Sequence, residues 1–301
     1  MKLKNIFSGI LLLLAVSACA NTANQTNSLL WKVSGNGLSS PSYLFGTHHL
    51  IPVSFLDEVT GIREVFEDTE QVVGELDMSK MNEMQMQIML ASVLPESYDY
   101  QTLLSESDYE LLNKNLTEQI GVGLDQLGKM KPAMLNNLLV ITQYQKLYPE
   151  MNNKTGIDQY FQDEAVKRSR PVVALETADD QIYALLEHQS VERQTEMLMC
   201  MIKHPELLEK QMNEMQTAYL AQDLEALDRL YKEELPDDPC PSSQEEKDVM
   251  NKNRNEKWLE KLPQIMQEKS SFIAVGCLHL VSDDGLITGL RKLGYKVEAV
   301  R

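Results

Sequence analysis

The sequence contains two stretches of one pattern, Tyr43-Leu44-Phe45-Gly46-Thr47-His48-His49-Leu50 and Ile273-Ala274-Val275-Gly276-Cys277-Leu278-His279-Leu280. In each, apolar residues are followed by a glycine, two further residues, a histidine and a leucine. A short apolar run is typical of a strand that is covered on both faces of a sheet. Because α/β folds gather ligands and catalytic groups at the carboxyl ends of parallel strands, the pattern predicts such a fold with a histidine at two strand tips.

Six β-rich segments are spaced along the chain, and most are continuous apolar runs: 30–33, 42–45, 71–76, 171–175, 271–275 and 296–300. Amphipathic stretches with helical spacing separate them. This order predicts one α/β domain over residues 30–301, with a central, mostly parallel sheet wrapped by helices and a large helical insertion. We expect the last two strands, joined through 285–293, to be parallel neighbours, because such crossovers are right-handed.

The chain holds 16 methionines. Met81, Met84 and Met89 follow helical spacing together with Ile88. We predict that such methionines form an adaptable core, because the thioether side chain fills irregular gaps. An exposed, groove-forming methionine patch is the alternative.

The N-terminus has the features of an export signal. Lys2 and Lys4 precede an apolar run over 6–16, which is shorter than the roughly 20 residues of a membrane-spanning helix. The following Val16-Ser17-Ala18-Cys19 resembles a bacterial lipobox, so we predict a signal peptide over 1–18, a lipid on Cys19 and a polar tether over 19–29. Cleavage after Ala20 is the alternative, since Ala18-Cys19-Ala20 has the A-x-A form.

The charge of the chain limits its partners. It carries 28 basic and 45 acidic residues, a net charge of −17. This balance argues against nucleic acid and against a purely electrostatic hold on anionic lipid. Attachment to the membrane would therefore have to come from the lipid anchor. Ala20 directly after Cys19 is compatible with sorting to the outer membrane, so we expect a location in the cell envelope, at the outer membrane or in the periplasm.

Three cysteines remain once Cys19 is set aside. An oxidising compartment favours one disulfide among them. We predict Cys200–Cys240, because Cys277 lies inside one of the two repeated stretches. Three buried, unpaired cysteines are the alternative.

Carboxylates follow two further strands. Glu75 ends the segment over 71–76 and Glu176 follows the one over 171–175, so four strand tips bring histidines and glutamates to one edge of the sheet. Neutral imidazoles and a carboxylate suit a divalent transition metal, which acidifies a bound water. Gly46 and Gly276 let a ligand approach the backbone closely. Strand-end histidines and glutamates that only cap helices or bond loop backbone are the alternative.

A second cluster lies before the last of these strands and includes Arg254, Asn255 and Trp258. Arg254 can clamp a substrate carboxylate or phosphate, or orient Glu75 or Glu176. A surface ion pair is the alternative. His188 and His204 lie in helix-like segments, and we expect them at the surface or at helix ends.

Further short motifs complete a family resemblance: Leu30-Trp31-Lys32-Val33, Glu75-Leu76-Asp77, Met130-Lys131-Pro132, Gly156-Ile157-Asp158, Leu175-Glu176-Thr177 with Gln181, Arg254-Asn255 and Gly294-Tyr295-Lys296-Val297. With the two repeated stretches, they make the chain resemble the TraB/PrgY/GumN family, which includes the Tiki metalloproteases. The resemblance covers about 30–300. It implies a fold similar to the erythromycin-esterase and ChaN-like proteins.

In the Tiki branch, the two Gly-x-x-His histidines and a glutamate serve a divalent-metal peptidase site. Carried over, these are His49, His279 and Glu75. The chain departs from the family at His48, where an apolar or small residue is more common, and this adds a further candidate ligand. It departs again at Ser282, where a glycine commonly follows the second motif.

With this resemblance, the leading hypothesis is a metal-dependent hydrolase of the cell envelope that acts on a peptide or small-molecule substrate, and within that class a peptidase. His49 and His279 would ligate Mn²⁺, Co²⁺ or Zn²⁺, and Glu75 would act as ligand or general base. Arg254 would orient substrate or stabilise the oxyanion, beside substrate-binding Glu176, Asn255, Gly46 and Gly276. The alternatives are a lipoprotein that sequesters a peptide signal and a haem-binding protein with His48 or His49 as axial ligand.

Overall fold

The computed structural model describes residues 28–151, 155–233 and 237–301. The predicted signal peptide over 1–18, the lipidation at Cys19 and the tether as far as residue 27 lie outside these ranges. Within them, no helix is both long and apolar enough to cross a membrane.

Six strands form one sheet in the order β4-β3-β5-β2-β1-β6. They are β1 Leu30–Ser34, β2 Ser42–Thr47, β3 Gln71–Gly74, β4 Val172–Ala174, β5 Ser271–Gly276 and β6 Lys296–Ala299. Strands β2 to β5 are mutually parallel, whereas β1 is antiparallel to both of its neighbours, β2 and β6. All six predicted strands are present, and the predicted α/β class with a mostly parallel sheet is confirmed.

The predicted pairing of the last two strands is wrong. β5 pairs with β2 on one side and β3 on the other, so both of its edges are taken. β6 pairs instead with β1, on the far side of the β1–β2 hairpin. Burial explains this order, because all six residues of β2 are buried while β6 has alternating exposed and buried residues. A fully apolar strand fits the interior of a sheet, and an alternating one fits its edge.

Helices cover the sheet and form the insertion. They are α1 Ile62–Glu67, α2 Met81–Ala91, α3 Tyr100–Leu103, α4 Glu106–Ile120, α5 Leu124–Leu127, α6 Pro132–Leu147, α7 Ile157–Lys167, α8 Ala178–Ile182, α9 Val191–Lys203, α10 Pro205–Leu220, α11 Leu224–Lys232, α12 Gln244–Met250, α13 Lys252–Glu268 and α14 Leu286–Lys292. Pro132 and Pro205 begin α6 and α10, where a missing N–H loses no helical hydrogen bond. A π-helix, Tyr183–Glu187, continues α8.

Two apolar cores hold these elements. The larger one surrounds the sheet, where the ring centroids of Phe161 and Phe272 are 4.4 Å apart and Trp258 is fully buried. The smaller one joins α4, α6 and α9 and includes Leu112 and Leu198. The helical insertion therefore has a core of its own beside the sheet.

The prediction that the methionines of 81–89 form core is wrong, because none of the residues of α2 is buried. The periodicity of this segment correctly predicted a helix, but Met84 and Ile88 are only half-buried, and Met86, Met89 and Leu90 are exposed. Other methionines do pack inside, namely Met199, Met212 and Met266.

The structure joins Cys200 to Cys240 by a disulfide, while Cys277 is a buried free thiol. Near the disulfide, an ion pair links α9 to α12. Arg193 donates from Nε to Oε1 of Glu246 over 2.8 Å and from Nη2 to Oε2 over 3.1 Å. The same carboxylate accepts the backbone N–H of Ser243 at the start of α12.

We expect Glu246→Gln to lower the free energy of unfolding at pH 7 by about 1–2 kcal/mol. The hydrogen bond from Arg193 lowers the pKa of Glu246 from 4.5 to about 2 in the folded protein. Its stabilisation is therefore complete above pH 4.5 and is lost as the pH falls through about 2. Urea denaturation at pH 7 and pH 3 should show a smaller difference between variant and wild type at the lower pH. The exposed neighbour is the control: Glu245→Gln should change neither curve, and an equal effect there would contradict the assignment.

Candidate functional site

A cleft of about 770 Å³ opens at the carboxyl ends of the parallel strands. It is lined by His48 and His49 after β2, Glu75 after β3, Arg254 of α13, and His279 after β5. The structure thus brings the predicted ligands and the predicted arginine to one place. Gly276 also lines the cleft, whereas the predicted Gly46, Glu176 and Asn255 are buried outside its lining.

Arg254 lies at the centre of a buried network. Its Nη2 donates to Glu75 Oε2 and to Glu176 Oε1, each over 2.6 Å, and its Nε donates to Glu176 Oε2 over 3.0 Å. Its Nη1 donates to the Met250 carbonyl over 3.2 Å and to His279 Nε2 over 3.0 Å. A guanidinium has five N–H donors, so every donor of Arg254 is used within the protein. The residue therefore orients the two glutamates and the histidine, and with its side chain only 11% exposed it is not a surface ion pair. Its action on a substrate stays a prediction.

Glu75 is held as an anion at the end of β3. Its Oε1 accepts the N–H of Gly276 over 2.9 Å, and its Oε2 also accepts Gln181 Nε2 over 3.2 Å. Burial alone would raise the pKa of Glu75, but the positive charges of His279, when protonated, and of Arg254 outweigh this effect and hold it at about 2. Three protein donors therefore occupy most of the roughly four lone-pair sites of this carboxylate, which gives Glu75 a positioning role.

His279 is fixed as one tautomer by Asn255. The amide nitrogen of Asn255 donates to Asn251 Oδ1 and to the carbonyls of His279 and Asp284, so its Oδ1 is left as the acceptor. The His279 Nδ1, 2.8 Å from that oxygen, must therefore carry the proton, and Nε2 accepts from Arg254. Burial, and then the nearby charge of Arg254, lower the pKa of His279 to about 4, against the opposing effect of Glu75. His279 is consequently neutral at pH 7.

His49 has a different environment. Its Nδ1 donates to Oδ2 of Asp158 over 2.8 Å, and Thr47 donates to the other oxygen of that carboxylate over 2.6 Å. Asp158 lies in the first turn of α7. The hydrogen bond and charge of Asp158 raise the pKa of His49, although the side chain is 69% exposed and water screens part of this effect. Among the described residues, His49 makes a side-chain hydrogen bond only through Nδ1, so Nε2 remains for a molecule in the cleft.

A family model described as TraB/PrgY/gumN family matches residues 29–299. The chain belongs to this family. The match covers the whole sheet and every residue that lines the cleft. No curated protein and no solved structure gives a significant match.

In this TraB/PrgY/gumN member, the two glycines of the repeated motif have structural tasks. A Cβ on Gly46 would lie 3.0 Å from Cα of Cys277, so glycine lets β2 approach the turn after β5. Gly276 directs its N–H at Glu75, and a Cβ there would lie 3.4 Å from Glu75 Oε1. Gly46 and Gly276 are therefore explained by the packing and hydrogen bonding of the site itself, without a contact to a ligand.

His48, the additional candidate ligand, points away from the Arg254 network. Its ring centroid lies 5.7 Å from that of Tyr144 and 5.3 Å from that of Tyr219, and its Nδ1 accepts the N–H of Leu50. Burial, and then the charge of His49, lower the pKa of His48 to about 4. The side chain is therefore neutral and packed against tyrosines.

The predicted metal set does not fit this arrangement. Within 28–151, 155–233 and 237–301, no three His, Cys, Asp or Glu side chains lie close enough together to hold a metal ion. Arg254 bonds two of the predicted ligands, His279 and Glu75, whereas the third, His49, is bonded to Asp158. A metal would require the guanidinium to leave its position, so metal binding stays a prediction, as does haem binding.

The sequence patterns indicated no functional roles for Asp158 and Gln181. Both belong to motifs of the family resemblance, and a glycine before Asp158 at a helix start was the available signal. His188 was expected at the surface or at a helix end. It does end the π-helix, but it lines the cleft, and neither of its ring nitrogens has a hydrogen-bond partner among the described residues. His204 lies between α9 and α10, at a helix end as expected.

Proposed function

We propose that the cleft is the active site of a hydrolase of the cell envelope, with His49 as the general base. One observation carries the proposal: His49 is hydrogen-bonded through Nδ1 to the half-buried carboxylate of Asp158, and its Nε2 is available to a molecule in the cleft. A carboxylate behind an imidazole fixes its tautomer and stabilises the imidazolium that forms when it accepts a proton. Among the described residues, no other histidine that lines the cleft is hydrogen-bonded to a carboxylate; His279 Nε2 approaches Glu75 Oε1 only to 4.0 Å.

The reaction is hydrolysis of an amide or ester by water. The neutral Nε2 of His49 takes a proton from water while the water oxygen bonds to the carbonyl carbon. The carbon–nitrogen or carbon–oxygen bond then breaks, and the proton passes from the imidazolium to the leaving group. The network around Arg254 holds His279 and Glu75, which also line the cleft, in position.

The lining of the cleft supports a peptide as substrate. The lining includes both apolar side chains, among them Leu185, Met197 and Leu278, and the amides of Asn136 and Asn137. Extended peptides present this combination of apolar side chains and backbone hydrogen-bonding groups. The volume of the cleft lies in the range of ordinary ligand sites, about 300–1,000 Å³.

We expect hydrolysis of a quenched-fluorescent peptide library to survive dialysis against EDTA, with an unchanged melting temperature. Arg254 already supplies the positive charge beside Glu75 and His279, so no metal is needed to hold them. Loss of activity on chelation, with recovery on adding Mn²⁺ or Zn²⁺, would contradict this and restore the metallopeptidase hypothesis. Saturable peptide binding without turnover would favour the sequestering lipoprotein.

A further inference from the structure

The surface beside the cleft carries an unusual apolar face. On α2, Met86, Met89 and Leu90 lie at spacings of three and four residues, and Val93 continues the same face just after the helix. Tyr183 and Leu185 are likewise exposed, on the π-helix that continues α8, and α2 packs against α8. The exposed fractions run from 41% at Leu185 to 64% at Leu90. We call these six residues the apolar rim.

The apolar rim belongs to the same edge of the sheet as the cleft. The chain reaches α2 from the carboxyl end of β3, and it reaches α8 and the π-helix from the carboxyl end of β4. Leu185 is a member of the rim and also lines the cleft. A molecule or surface that covers the rim would therefore lie at the mouth of the cleft.

The N-terminal part of the chain arrives at this edge too. The Leu29 carbonyl, just before β1, accepts the N–H of Gly46 at the end of β2 over 2.9 Å. Residues 1–27 precede this point, and sequence analysis predicts a lipid on Cys19. The segment between Cys19 and Ser28 can span at most about 30 Å. A lipid at Cys19 would consequently hold the edge with the cleft, and not the opposite edge, close to the bilayer.

Charge identifies what the apolar rim can contact. The chain has a net charge of −17, yet residues 78–93 contain one lysine and one glutamate as their only charged side chains. The α2 part of the rim is therefore an apolar face with few charges on an acidic protein. Such a face suits the interfacial region of zwitterionic lipid, where apolar side chains enter and few charges are desolvated. Anionic head groups would repel the rest of the protein.

We propose that the apolar rim inserts into the interfacial region of a bilayer and holds the cleft against the membrane surface. This proposed contact between the apolar rim and the bilayer does not depend on the proposed hydrolysis. If both are correct, the substrates are polypeptide segments that emerge from the membrane or lie on it.

Vesicle cosedimentation tests the proposal. The protein is a chain of residues 20–301, which keeps every described helix and strand and lacks the signal and the lipid; its cooperative melting is checked first. The probe is phosphatidylcholine vesicles. We expect the wild type to sediment with them and the double variant M86E/L90E to bind at least about tenfold more weakly, because two charges would enter the interface.

The matched control is Val166→Glu. Val166 is 56% exposed and lies near the end of α7. That helix begins at the cleft with Asp158 and runs toward the amino end of β4, so its last turn is at the opposite edge of the sheet. Val166→Glu should bind vesicles like the wild type.

Three results would overturn the proposal. They are absence of vesicle binding by the wild type, equal binding by wild type and M86E/L90E, and an equal loss in Val166→Glu. If vesicle binding is absent but the protein dimerises in a concentration-dependent way that M86E/L90E abolishes, the rim is covered by a second copy of the chain. Failure of the hydrolysis assay would leave these vesicle results unaffected.

Discussion

Arg254→Met should lower the free energy of unfolding by about 3–5 kcal/mol. The substitution keeps much of the side-chain volume against Trp258, whose ring lies 4.9 Å from the guanidinium carbon. It removes the only cation that contacts both Glu75 and Glu176 among the described residues, and those side chains are only 12% and 3% exposed. Two buried carboxylates would remain without their counterion, and such groups are strongly destabilising. Urea denaturation at pH 7 measures the loss.

Two companion variants separate charge from packing. Lys257→Met removes a cation one turn further along α13, where Lys257 is 61% exposed and pairs with Asp180. This pair is solvated, so we expect a change below about 1 kcal/mol. Adding Glu176→Gln to Arg254→Met should recover part of the lost stability, because one uncompensated charge disappears with it. Equal denaturation midpoints for Arg254→Met and the wild type would show that the network does not stabilise the fold.

Most of the strands were predictable because a parallel strand that is covered on both faces is a continuous apolar run. Such a run can be recognised in the sequence without knowing which strand it pairs with. The order of the strands in the sheet was harder to predict from the sequence. β5 and β6 have the spacing of a crossover unit, but the hairpin of β1 and β2 takes the edge of β5 that β6 was expected to occupy. Which strand fills an edge depends on the burial available to all six, and no single segment contains that information.

The candidate site, too, was predictable only in part. Position at strand tips correctly brought His49, Glu75 and His279 to one cleft. What each side chain does there depends on its hydrogen-bond partners, which come from distant segments. Arg254 is 179 residues from Glu75, and Asp158 is 109 residues from His49. The metal hypothesis assumed that all three side chains are available to a metal. In the structure, Arg254 donates hydrogen bonds to Glu75 and His279, and only Nε2 of His49 remains for a molecule in the cleft.

The face of α2 has a related explanation. Helical spacing of methionines predicts an apolar stripe, and in most helices such a stripe faces the core. Spacing does not tell what covers the stripe. In this protein the larger core is complete around the sheet and the smaller one around α4, α6 and α9, so α2 packs on the outside of both.

His49→Gln should lower kcat for peptide hydrolysis by about 10²–10⁴-fold, because the general base is lost. Glutamine can still hydrogen-bond Asp158, and the side chain is largely exposed, so the melting temperature should stay within a degree or two of the wild type. His204→Gln is the control, since His204 lies at a helix end outside the cleft. A normal rate in His49→Gln would refute the base assignment.

Asp158→Asn tests the same assignment through pH. His49 works as a base only when neutral, so activity should rise as the pH increases through its pKa. Asp158 raises that pKa, so the acidic limb of the kcat/KM profile should lie above the ordinary histidine value of about 6.5 in the wild type. Asparagine removes the charge, so the limb should move to lower pH while the plateau falls, because the imidazolium formed in the reaction loses its stabilising partner. A residue that only supported the fold would lower the plateau without moving the limb, and an unmoved limb would therefore remove Asp158 from the proposed mechanism.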